Sequence, residues 1–183
     1  MNLPNKITLF RVFLIPVFLV FLLVNGIPAG KWIALGVFII ASLSDMADGK
    51  IARKYNLITD FGKFMDPLAD KLLTCSAMIA LISLGKIPSW VVIIIIAREF
   101  TISGFRLIAA DNGHVIAANM WGKVKTTVQM AMVIYLIFIT AAELSDKPFV
   151  IIANILIYLS MILTVISLVT YILANKDVIK SYK

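Results

Sequence analysis

The stretch DMADGKIARKYNLITDFGKFMDPLAD, Asp45 to Asp70, decides how the rest of the chain is read. It sets Asp45, Asp48, Asp66 and Asp70 among apolar and small neighbours (Met46, Ala47, Phe64, Met65, Leu68 and Ala69) in a chain that is 61% hydrophobic. Asp45 and Asp48 are three residues apart, and Asp66 and Asp70 four. On a helix both spacings place side chains on one face. Two neighbouring helices, each turning its pair inward, would gather the carboxylates in one cavity. Buried like charges cannot all ionise unless cations neutralise them. Oxygen-only ligands suit Mg²⁺, Mn²⁺ or Ca²⁺ rather than a zinc-type site, and two divalent ions would balance the carboxylates of all four residues. The same acids also fit a proton or ion pathway. A solvated loop face is the blander alternative, but the acids lack the regular basic partners of a surface helix.

Outward from this segment the chain is lipid-like in composition. Its 183 residues are only 15% charged, and the mean hydropathy is +1.00. A soluble domain of this length cannot hide so much apolar surface, so the excess must face lipid. The apolar runs are continuous rather than alternating, which argues against barrel strands and predicts membrane-crossing helices of roughly 20 residues each. The predicted spans are 8–25, 31–53, 60–84, 88–110, 120–142 and 148–174. They are separated by Asn25-Gly26-Ile27-Pro28, by Gly85 and Pro88, by Asp111-Asn112-Gly113, and by Pro148. The reading is all-α: one polytopic membrane domain over 1–183, with six transmembrane helices, a short interfacial segment at 1–7 and a basic tail at 175–183. Lys6 and Arg11 before an apolar run resemble a signal peptide, but further spans follow at once and favour an uncleaved first helix. The single cysteine, Cys75, excludes an intrachain disulfide and is expected to be packed in its helix.

Charge sets the orientation. One side of the six-span topology carries Lys6, Arg11, Lys50, Arg53, Lys54, Lys63, Arg106, Lys123, Lys125, Lys176, Lys180 and Lys183; the other offers Lys31, Lys86 and Lys147. The asymmetry predicts cytoplasmic termini and a cytoplasmic acid segment. A net charge of +7 then marks the cytoplasmic face and its anionic head groups rather than nucleic acid.

Within the acid stretch, Gly49, Ala52 and Gly62 leave space, and Arg53 adds a cation. Pro67 is tolerated without distortion only in a first helical turn, so the third span either starts near Asp66 or starts near Thr59 and kinks. Metal ions, small residues and an arginine together suit a diphosphate substrate. The whole spacing, Asp45-x2-Asp48-Gly49-x2-Ala52-Arg53-x8-Gly62-x3-Asp66-x3-Asp70, resembles the complete signature of the CDP-alcohol phosphatidyltransferases. NLPNKITLFR at the start, AREFTISGFR (Ala97–Arg106) and GKVKTTVQM (Gly122–Met130) are similar to the branch of that family whose acceptor is sn-glycerol 3-phosphate.

The resemblance implies a six-helix bacterial plasma-membrane enzyme, commonly homodimeric, with its active site facing the cytoplasm. Such an enzyme moves a phosphatidyl group from CDP-diacylglycerol to an alcohol and releases CMP. It implies that Asp45, Asp48 and Asp66 hold two divalent ions, Mg²⁺ or Mn²⁺, with Asp70 adding ligation in some members and serving as general base. It places Asp48, Gly49, Ala52, Arg53 and Gly62 against the cytidine diphosphate. Other acceptors (inositol phosphate, serine or phosphatidylglycerol) are the near alternatives, and a small cation transporter is the distant one.

Several residues outside the signature remain. Asn5, Thr8 and Arg11 recur at helical spacing and are either interfacial anchors or neighbours of the nucleotide; Asn5 and Thr8 are carried as donor-binding candidates. Arg98 and Glu99 lie mid-span, where charge is expensive and usually functional, or else serves a structural pair. Arg106, Lys123 and Lys125 are expected to cluster at the cytoplasmic mouth, as membrane anchors or as an anion site for a phosphorylated acceptor, with Arg98 deeper and Arg106 the first choice. His114 receives no role. Trp32, Trp90 and Trp121 fall near span ends, as interfacial aromatics do.

Overall fold

The computed structural model describes the backbone of residues 3–54, 60–111 and 120–175, and the side chains of 5–44, 65, 68–107, 109 and 120–175. Among the described residues the fold is all helix, in six elements: α1 (Leu3–Leu23), α2 (Gly30–Lys54), α3 (Asp60–Ser83), α4 (Ser89–Asp111), α5 (Met120–Ala141) and α6 (Lys147–Ala174). Over their described lengths Asn5–Leu23, Met120–Ala141 and Lys147–Ala174 are long and apolar enough to cross a membrane. The outward faces are largely apolar, as on α6, where Ile151, Ile155, Ile162, Val169 and Leu173 are exposed. In water such faces would be costly; against lipid they are the solvent-facing surface.

The helices fall into two compact units, 1–86 with 133–149 and 87–132 with 150–183. In the first, α1 packs on α2 and α3. Its inward stripe is Asn5, Thr8, Arg11, Ile15, Phe18 and Leu22, all buried, at the three-and-four spacing of one helix face. Phe18 meets Phe38 with ring centroids 5.6 Å apart. At the loop, Gly30 lies so close to α1 that a Cβ there would stand 2.9 Å from the Phe21 carbonyl oxygen. The α1–α2 hairpin is therefore antiparallel and tight at its turn. The α3 helix ends in a Schellman cap: the Lys86 amide donates to the Leu81 carbonyl and the Gly85 amide to Ile82, both at 2.9 Å. Gly85 takes the left-handed φ of +67° that this cap requires.

In the second unit α4 and α6 run parallel, because their contacts advance together along both chains: Trp90 with Tyr158, Arg98 with Ser167, and Phe105 with Tyr171. The buried residues of α6 are Ala153, Ile157, Ser160, Leu163, Thr164, Ser167 and Tyr171, again a single stripe.

Two expectations are refined. The first helix begins at Leu3 rather than at 8, so the interfacial segment expected at 1–7 is, from Leu3 on, the first part of α1. Asn5, Thr8 and Arg11 are 6%, 0% and 0% exposed, which is not how interfacial anchors sit. The third helix begins at Asp60 and continues through Pro67, which removes the alternative of a start at Asp66.

Candidate active site

The acid signature occupies the last turns of α2 and the first turns of α3. Asp45, Asp48, Gly49, Ala52 and Arg53 lie on α2, and Gly62, Asp66 and Asp70 on α3. The side chains of Asp45, Asp48, Gly49, Ala52, Arg53, Gly62 and Asp66 lie outside the described residues, as does His114. Asp70 is described: it is half-buried, preceded by fully buried Ala69 and followed one turn later by Leu73, which is 1% exposed. The Thr74 hydroxyl donates to the Asp70 carbonyl oxygen at 3.1 Å, folding a polar side chain back onto the helix. The donor set of the four acids is hard oxygen alone, and Asp70 half-buried on α3 fits a Mg²⁺ or Mn²⁺ ligand.

The antiparallel α1–α2 hairpin gives Asn5, Thr8 and Arg11 a definite place. Its turn lies at Phe21 and Gly30, so the opposite, N-terminal end of α1 runs beside the later turns of α2, those that carry Asp45 and Asp48. All three residues are buried and engaged in interactions. They are polar groups on the same face as Phe18 and Leu22, at the acid-bearing end of the unit.

The second unit holds a charged cluster of a different kind. Arg98 on α4, Lys125 on α5 and Ser167 on α6 converge around Glu99. The Lys125 ammonium donates to Glu99 Oε1, an Arg98 guanidinium nitrogen lies 3.6 Å from the same oxygen, and another donates to the Ser167 hydroxyl. The Arg98, Glu99 and Lys125 side chains are 9%, 13% and 0% exposed. Gly122 closes the cluster on one side: a Cβ there would stand 3.6 Å from Arg98 Nη2 and 3.7 Å from Ser167 Oγ, ordinary contact distances.

Of the residues expected to cluster at one mouth, Arg106, Lys123 and Lys125, the structure groups Lys125 with Arg98 and Glu99. Lys125 is wholly buried and grouped with Arg98, whereas Lys123 is exposed. Residues two apart on a helix point roughly 200° from each other, so both could not share one surface. Arg106 is also exposed, next to Phe105, whose ring meets Tyr171 edge-on at 5.9 Å. Glu99 was noted from sequence only as a mid-span charge beside Arg98, and Ser167 and Tyr171 were not noted at all. The signal for the last two was present as polar residues at Ser160, Thr164, Ser167 and Tyr171, a regular stripe along an otherwise apolar helix.

The architecture and the acid spacing meet a known family here. A family profile described as CDP-alcohol phosphatidyltransferase matches residues 1–172. The chain belongs to that family. It is 43% identical to the CDP-diacylglycerol–glycerol-3-phosphate 3-phosphatidyltransferase of Bacillus subtilis, with 98% of each chain covered. It is 38% identical to the protein of the same name from Rickettsia felis, over 96% of each. A probable phosphatidylglycerophosphate synthase of Mycobacterium tuberculosis is 39% identical over 93% of this chain and 80% of its own. In this transferase the acid signature falls at the α2–α3 end of the first unit, and the segments AREFTISGFR and GKVKTTVQM contain Arg98, Glu99, Gly122 and Lys125 of the second.

Proposed function

We propose that this chain transfers the phosphatidyl group of CDP-diacylglycerol to sn-glycerol 3-phosphate, giving phosphatidylglycerophosphate and CMP. The observation that carries this reading is near-full-length identity, at 43% and 38%, to relatives named for that reaction. The bottom-up chemistry is consistent with it. A lipid donor requires an enzyme whose outer faces are apolar, so that the acyl chains stay in the bilayer while the head group enters a polar cavity.

In the proposed mechanism Asp45, Asp48, Asp66 and Asp70 hold two divalent ions, Mg²⁺ or Mn²⁺, and Gly49, Ala52, Arg53 and Gly62, with Asn5 and Thr8, hold the cytidine diphosphate. When bound, the ions supply positive charge for the diphosphate oxygens and for the leaving CMP. The Asp70 carboxylate takes the proton from the acceptor hydroxyl as its oxygen attacks the phosphorus bonded to the diacylglycerol oxygen. The new oxygen–phosphorus bond forms, the bond to CMP breaks, and the proton stays on Asp70. Arg98, Lys125 and Arg106 supply cationic donors for the acceptor's phosphate, since charge-assisted bonds are the strong kind; Lys123, on the exposed side of α5, contributes only field.

The reading further places the protein in a bacterial plasma membrane as a homodimer, with both termini and the catalytic end in the cytoplasm. The deciding experiment is CMP release from CDP-diacylglycerol by purified protein with a panel of acceptors. Glycerol 3-phosphate should be used well, and serine, inositol phosphate and phosphatidylglycerol poorly. Preference for another acceptor would overturn the acceptor and keep the family chemistry. For orientation, cysteines introduced near residues 56 and 180 should be shielded from an impermeant thiol reagent in intact cells, and one near 146 should label.

A further inference from the structure

We propose that the Tyr171 hydroxyl is a donor to the acceptor's phosphate group, beside Arg98 and between it and Arg106. The proposal rests on the acceptor site described above and extends it to α6. Tyr171 is 4% exposed, and among the described residues its hydroxyl has no hydrogen-bond partner. Arg98 is 8% exposed, and among the described residues its Nε is likewise without a partner, although its other guanidinium nitrogens engage Ser167 and Glu99. A buried donor left unpaired is costly, more so when charged, so two in one cluster point to an acceptor. That acceptor should be an anion, because among the described residues the cluster brings the two cations Arg98 and Lys125 to one carboxylate, Glu99.

Position agrees with chemistry. Ser167 and Tyr171 are four residues apart, one turn on the same face of α6. The guanidinium that reaches Ser167 therefore lies one turn from the phenol. Phe105 fixes the ring by an edge contact at 5.9 Å, and Arg106 follows Phe105 directly. Arg98 and Arg106 are both within electrostatic reach of the Tyr171 hydroxyl. Along the parallel α4–α6 pair, the phenol thus sits between the two arginines. A phosphate monoester, with three acceptor oxygens and nearly two negative charges, can take bonds from a guanidinium and a hydroxyl together. A neutral or zwitterionic alcohol would leave the same donors unpaired, so the tyrosine also discriminates against acceptors without phosphate.

The test uses Tyr171→Phe, which keeps the ring against Phe105 and removes only the hydroxyl. The KM for glycerol 3-phosphate should rise about ten-fold, the lower end of what a hydrogen bond to a charged group contributes. The KM for CDP-diacylglycerol should move less than two-fold. Inorganic phosphate should inhibit the variant correspondingly less well, and slow turnover of glycerol, which has no phosphate, should fall far less than that of glycerol 3-phosphate. Arg98→Lys is measured in parallel. If Arg98→Lys raises the glycerol 3-phosphate KM while Tyr171→Phe leaves it unchanged, the tyrosine proposal fails and the acceptor site stands. If neither substitution moves it, both fail. An equal loss with glycerol and with glycerol 3-phosphate would also overturn the proposal, since the hydroxyl would then not serve the phosphate.

Discussion

Asp45, Asp48, Asp66 and Asp70 bring like charges to the α2–α3 end of the first unit, whereas Arg98, Glu99 and Lys125 bring charges of both signs to the interior of the second. The first set is of one sign, and in the proposed mechanism two divalent ions would balance it. The second is largely neutralised by Glu99, and it keeps a cationic excess among the described residues together with the two unpaired donors, Arg98 Nε and the Tyr171 hydroxyl. On the proposed function, the acids of the first unit would hold metal ions and the cations of the second would meet the acceptor's phosphate.

The contrast is broken most sharply by removing metal. Chelation is expected to abolish CMP release and Mg²⁺ or Mn²⁺ to restore it. Asp45→Ala, Asp48→Ala and Asp66→Ala should each leave an inserted, nearly inactive protein. Full turnover in excess chelator would mean that the acids need no imported cation. Next comes Asp70→Asn, which keeps shape and loses the proton acceptor. General-base removal lowers rate by about 10²–10⁴-fold, and CDP-diacylglycerol binding should be largely retained. Turnover near wild type would move the base elsewhere.

In the second unit the effect is expected on stability as well as on rate. Lys125→Met leaves Glu99, among the described residues, with Arg98 at 3.6 Å as its cation. Removing one partner of a buried pair costs about 3–5 kcal/mol, read as a lower thermal midpoint in detergent. The double substitution Glu99→Gln with Lys125→Met should recover most of that loss, because no carboxylate then remains uncompensated. Equal stability of single and double variants would show that the pair holds nothing. Arg106→Ala tests the exposed side of the same region. It should raise the KM for glycerol 3-phosphate by about 10–150-fold, the equivalent of about 1.5–3 kcal/mol, with the KM for CDP-diacylglycerol little changed. An unchanged acceptor KM would return Arg106 to membrane anchoring.

The smallest expected effect lies away from both charged regions. Gly30→Ala forces a methyl to within 2.9 Å of the Phe21 carbonyl, so the α1–α2 turn must open. Overpacking of this kind costs about 1–3 kcal/mol. The midpoint should drop, with neither substrate's KM changed. A KM shift there would mean that the hairpin turn communicates with the acid end of α2.

The sequence by itself determined the helical class and the helix order, because apolar runs of bilayer length can hide their backbone groups only in helices. It also determined the acid site as a motif. Carboxylates at three- and four-residue spacing share a face whatever the helix packs against, and the eight signature positions are adjacent in the chain or one turn-segment apart. Long-range placement was not legible. Lys123 and Lys125 look alike in sequence, and only packing buries one of them on Glu99 and leaves the other exposed. Arg98 and Ser167 are 69 residues apart, and nothing local says that α6 runs parallel to α4 and brings a hydroxyl to the guanidinium. Asn5, Thr8 and Arg11 read equally well as surface anchors until α1 turned their face inward with Phe18 and Leu22. Local periodicity is written in spacing, whereas the choice of which face meets which partner is a property of the assembled helices, settled by where buried charges and donors can be satisfied.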